Sequence, residues 1–100
     1  DKYSAKTLAM INNGVTTYEQ AKSIFSGISE SAFNEGMALH KAGVKIDAVK
    51  SAYVKANANG NSYISKDEAI AYLNSTNFSR AQKRAIFDAL MQNPNTKNPY

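Results

Sequence analysis

The chain has 100 residues, of which 43% are hydrophobic and 20% charged, with a net charge of +4 and no cysteine. That length holds one domain with a modest core, and the composition is that of a folded globule rather than a disordered tail. Disulfides and thiolate metal sites are excluded, no apolar run approaches the roughly 18 residues of a membrane span, and the mild positive charge permits weak attraction to polyanions without requiring it.

Caps, stops and apolar spacing predict six helices in an all-α fold. The first runs from an N-cap at Ser4 through Leu8, Met10 and Ile11 to the stop Asn12-Asn13-Gly14. The second opens at Thr17 with Gln20 completing a capping box, and closes at Gly27. The third spans about 31–41, with Phe33, Met37 and either Ala38 or Leu39 inward, and stops at Gly43. The fourth begins at Asp47, a carboxylate able to cap the first turn, and carries Val49, Ala52 and Tyr53 as its stripe. The fifth starts at the capping box Ser65/Glu68 and carries Ala69, Ile70, Tyr72 and Leu73. The sixth opens at Ser79/Gln82 and buries Ala85, Ile86, Ala89 and Leu90. No segment alternates long enough for a sheet beyond a two- or three-residue bridge. The domain is therefore read as 1–91, with 92–100 an extended, unanchored tail. The start at Asp1 and the polar end suggest a piece of a longer polypeptide.

Residues 57–68, NANGNSYISKDE, fit the twelve-residue frame of an EF-hand or dockerin-type calcium loop, which they resemble. Asn57, Asn59, Asn61, Ser65 and Glu68 place side-chain oxygens at positions 1, 3, 5, 9 and 12. Tyr63 stands at position 7, where the frame uses a main-chain carbonyl, and Ile64 at position 8. A hard cation needs six to eight oxygens, and helices on both sides supply the expected context over about 47–74. The departures weigh more. Glu68 is the one ionised ligand candidate, and position 6, where the frame wants glycine for a sharp turn, is Ser62. Gly60, at position 4, is out of place for that turn. Affinity rises with ligand charge, so this loop is expected to be an ordered turn without tight calcium binding, weak millimolar binding being the alternative. Ser65 and Glu68 form a capping box with or without an ion. A paired EF-hand sets its position-8 residue against a second loop, so Tyr63-Ile64-Ser65 is expected to bridge Val44-Lys45-Ile46, with Val15 the weaker rival.

Other chemistry is sparse. His40 is the single histidine, which removes His–Cys and multi-His zinc sites. Glu19, Asp47, Asp67 and Glu68 fall in first helical turns, where they complement the helix dipole, and no Gly-rich phosphate loop occurs. Nothing here assembles an enzyme. Arg80, Lys83 and Arg84 on the sixth helix give the superficial outline of a nucleic-acid-binding helix-turn-helix, against the simpler reading of a solvated face.

The run Ala42-Gly43-Val44-Lys45-Ile46-Asp47, the Asn-Gly-Asn loop with Ile64-Ser65, the stretch 78–85 and the closing Asn98-Pro99-Tyr100 together resemble a segment of large phage and prophage proteins of Gram-positive bacteria. The resemblance covers about 40–100. It implies a non-catalytic helical module of a virion-associated or other phage-encoded protein, located in the virion or the host cytoplasm. Its partners would be other segments of that protein or virion proteins; no membrane partner is expected, and nucleic acid stands as the second alternative to a structural or interaction role. Tyr100 is expected to contact another part of the parent protein.

Overall fold

Short polar caps and left-handed stops partition the chain into helices of two to three turns. The computed structural model describes residues 2–57, 60, 63–93 and 95–100, with the side chains of residues 2 and 3 left aside. The helices are α1 (Lys2–Asn12), α2 (Tyr18–Ile24), α3 (Glu30–Lys41), α4 (Ile46–Ala56), α5 (Lys66–Asn74) and α6 (Arg80–Met91). The all-α class stands, and no strand occurs among the described residues.

Three predicted capping boxes are formed, at Thr17/Gln20, Ser65/Glu68 and Ser79/Gln82. Three predicted starts are displaced. Helix α3 begins at Glu30 because Ser29, not a residue further on, accepts from the Ala32 N–H at 3.1 Å. Helix α4 is capped by the backbone of Lys45, so Asp47 lies in its first turn, beside the dipole but not at the cap. Ser4 is not a cap at all, being a fully buried residue inside α1.

The predicted bridge between 44–46 and 63–65 is absent, and the backbone accounting explains why. Helix α3 ends in a Schellman motif: Gly43 adopts φ +78°, its N–H reaches the His40 carbonyl at 3.1 Å, and the Val44 N–H reaches that of Leu39 at 3.0 Å. The Lys45 carbonyl then accepts from the Val49 N–H as the first bond of α4. On the other side the Ser65 N–H donates to Glu68 Oε1 and the Ser65 carbonyl accepts from the Ala69 N–H. Helix ends consume the groups a bridge needs. Ile64 packs its side chain on the core instead.

Leu8, Leu39, Val49, Leu73, Ile86 and Phe87 form the main core, contributed by every helix except α2. A second cluster of Ile11, Ala21, Ile28, Ala32 and Phe33 seats α2 against α1 and α3, closed by a hydrogen bond from the Tyr18 hydroxyl to the Ile28 carbonyl at 2.9 Å. Helices α1 and α3 pack most extensively, and they meet where Gly36 faces the buried Thr7. The expected unanchored tail is instead held to the domain at Asn98 and Tyr100. Tyr100 stacks edge-on against Phe87, with centroids 6.2 Å apart, and its hydroxyl donates to Asn74 Oδ1 at 2.8 Å. Asn98 Nδ2 donates to the Arg84 carbonyl and to Asp88 Oδ1, both at 2.9 Å.

Candidate functional site: the loop and the groove beside it

Helix α4 runs out at Asn57, whose backbone leaves the helical region at φ −82°, ψ 67°. The Gly60 N–H returns to the Asn57 carbonyl at 3.2 Å, and Gly60 adopts φ +67°. The left-handed residue thus stands at loop position 4, and the sharp turn expected at position 6 falls on Ser62, outside the described residues. Glycine carries that conformation without the Cβ penalty. Asn59, Asn61 and Ser62 lie outside the described residues. Tyr63 is 68% exposed, and Ile64 is half-buried.

Ser65 and Glu68, the ligand candidates at positions 9 and 12, face each other rather than a common point. Ser65 Oγ accepts from the Glu68 N–H at 3.1 Å, and Glu68 Oε1 accepts from the Ser65 N–H at 3.0 Å. One carboxylate oxygen that would close a calcium shell bidentately is therefore aimed at a backbone amide. No cluster of three or more His, Cys, Asp or Glu able to hold a metal occurs among the described residues.

Arg80 and Arg84 of α6 are both exposed. Lys83 is half-buried, and Arg84 Nη1 donates to the Tyr100 main-chain oxygen at 3.0 Å. His40 is exposed, its Nδ1 3.2 Å from Asn12 Oδ1.

A larger feature adjoins the loop. Between α1, α4, the end of α6 and residues 63–64 lies a half-open groove of about 1010 Å³. Ile46 and Tyr53 of α4, Ile64, and Leu90 and Met91 of α6 make its apolar lining, while Ala5 and Ala9 of α1 keep one wall low. Lys6 and Lys50 are the charged residues lining it, from α1 and α4, and no Asp or Glu does so among the described residues. The Lys6 ammonium lies 5.4 Å from the Phe25 ring centroid. Sequence reading missed this site. Its one legible trace was Ala5 and Ala9, a helical turn apart, where α1 carries methyl groups in place of large side chains.

Gln92 and Tyr53 of the groove lining join hydrogen bonds that the sequence did not foretell. Ser4 Oγ donates to Glu35 Oε1 at 3.0 Å and accepts from Gln92 Nε2 at 3.3 Å. The Tyr53 hydroxyl donates to the Ala89 carbonyl at 3.0 Å. Burial raises the Glu35 carboxyl above the ordinary range, against the lowering effect of the Ser4 hydrogen bond. Burial likewise pushes Tyr53 up to about 12, so its hydroxyl remains a neutral donor. Gln92 reaches Ser4 from the left-handed cap of α6, at φ 50°. These contacts join residues up to 88 positions apart, beyond any local pattern.

Comparison with family models, with curated proteins and with solved structures returns no match.

Proposed function

We propose that this domain is a non-catalytic protein-interaction module of a larger phage-type protein, working through the groove between α1, α4 and α6. The observation that carries the interaction reading is the groove itself: open, apolar on its floor, and bounded by rigid helices. Such a surface gains stabilisation when another chain removes it from water. The phage setting is supported by the resemblance over 40–100. The EF-hand-like loop serves in this reading as a turn that brings Ile64 and Tyr63 to the groove lip. Weak calcium binding is the alternative role for that loop, and nucleic-acid binding through Arg80, Lys83 and Arg84 is the second.

A photocrosslinking residue tests the reading in the full parent protein. Benzoylphenylalanine at Tyr63, on the lip, is expected to capture a defined protein segment, and Ile46→Glu in the groove floor should abolish that capture. The same residue at Asn77, exposed in the α5–α6 loop, should capture nothing. Equal capture from both positions, or capture from Tyr63 that survives Ile46→Glu, would contradict the proposal.

A further inference from the structure

We infer that α5 and α6 form a recognition seat for an extended Asn-Xaa-Tyr segment, filled here by the chain's own Asn98–Tyr100 and able to take the same segment from a second copy. The seat is made by Asn74 of α5 and by Arg84, Phe87 and Asp88 of α6, none of which lines the groove. Its reading is therefore independent of the groove's.

Each end residue of the segment is read by its side chain. The Asn98 amide donates to the Arg84 carbonyl and to Asp88 Oδ1, both at 2.9 Å, while its oxygen accepts from the Tyr100 N–H at 2.9 Å. That last bond closes an Asx turn, which holds the segment in the bend that brings the tyrosine to the helices. Aspartate in that place would lack the donor and would set a second carboxylate beside Asp88. The Tyr100 ring lies edge-on to Phe87, and its hydroxyl crosses to Asn74 Oδ1 at 2.8 Å. Arg84 Nη1 holds the Tyr100 main-chain oxygen at 3.0 Å, so register is fixed as well as composition. Pro99, between the two, is exposed, and its ring is not read.

The contact is built to exchange. Asn74, Arg84 and Asp88 are exposed, so water competes for the polar bonds of the seat, and of the three segment residues Tyr100 packs on the core. Residues 93–97 tether Asn98 to Gln92, the cap of α6, and a tether that short supplies an effective concentration on the order of millimolar. A seat filled under that advantage has an intrinsic dissociation constant of roughly millimolar or below, and a free copy of the segment at such concentrations competes for it.

Titration of the full chain carrying Asn98→Ala and Tyr100→Ala, which empties the seat, tests this. The probe is the peptide Thr-Lys-Asn-Pro-Tyr, amidated so that its tyrosine offers a main-chain oxygen without added charge. Saturating amide shifts are expected at Asn74, Arg84, Phe87 and Asp88, with a dissociation constant of about a millimolar. Phenylalanine for tyrosine should weaken the peptide roughly three- to tenfold, the loss of one hydrogen bond. Hydroxyproline for proline should leave its affinity unchanged, and the peptide with Asn and Tyr exchanged should not saturate the seat. Should the double variant not fold, the unaltered chain gives the same answer, because the peptide should displace Tyr100 and weaken its ring contact with Phe87. A mixture of labelled and unlabelled chains at millimolar concentration should show Tyr100–Phe87 contacts between copies, and their absence would overturn the exchange. No saturation in either chain at about ten times the effective concentration, equal binding of the exchanged-order peptide, or shifts centred away from α5 and α6 would overturn the seat itself.

Discussion

Ser65 and Glu68 show how one pair of side chains can satisfy a sequence motif and yet serve a different physical end. Their reciprocal bonds to each other's backbone amides cap α5, and a cap needs no ion. Replacing Ser65 by Ala removes the acceptor for the Glu68 N–H and is expected to cost about 0.5–2 kcal/mol, read as a lower melting temperature; an unchanged transition would refute the assignment. Gly36 poses the opposite situation, a residue important for what it lacks. A Cβ there would overlap Thr7 Cγ2 and lie 2.8 Å from Thr7 Cβ, at the closest approach of α1 and α3. Gly36→Ala should therefore destabilise by about 1–3 kcal/mol despite the better helix propensity of alanine, with Thr7→Ser in the same chain recovering part of the loss. Chemical denaturation of the single and double variants measures this, and a gain in stability on Gly36→Ala would contradict it. The Ser65 pair was legible because a capping box is four residues long. The role of Gly36 was not, since its partner lies 29 positions away on another helix, and nothing in the surrounding sequence names it.

Helices were readable as units, and their joints were not. Capping boxes at α2, α5 and α6 and the glycine stop of α3 are local devices, so their positions followed from spacing alone. Ser4 misled because a serine near a helix start has the same local signature whether it caps or is buried. Its hydroxyl instead joins Glu35 of α3 to Gln92 after α6. Phe87 was left out of the core stripe of α6 because Tyr100, which covers it, arrives from the following segment. The Ser4–Glu35 joint has a pH signature. Burial raises the Glu35 pKa, so the folded domain holds that proton more tightly than the unfolded chain. This contribution to stability is fully present below the unfolded carboxylate value, and it is lost as pH rises through the raised one. Glu35→Gln keeps a side-chain oxygen for Ser4 and removes the titration. The variant's melting temperature should therefore gain on the parent's as pH rises above the ordinary carboxylate value. Parallel curves across that range would show that Glu35 titrates as an ordinary surface carboxylate.

As a whole the molecule is an all-α assembly whose helices are held by apolar packing. The helix pair α4–α5 is packed through Val49, Ala52, Ala69 and Leu73, and Ile64 lies against the same core. The fold class was readable because each helix declares itself locally, whereas the groove was not, being made by four segments that meet only in the folded chain. On the proposed reading its working surface is the groove, and calcium has no part in maintaining the fold. The melting temperature in excess chelator, set against that in millimolar calcium, tests this most directly. An ion present at about 100 times its dissociation constant would add about 2.7 kcal/mol to folding. For a chain of 100 residues that is a rise of roughly 10 °C or more. The account predicts the same transition in both conditions, within about a degree; a calcium-dependent rise of that larger size would contradict it.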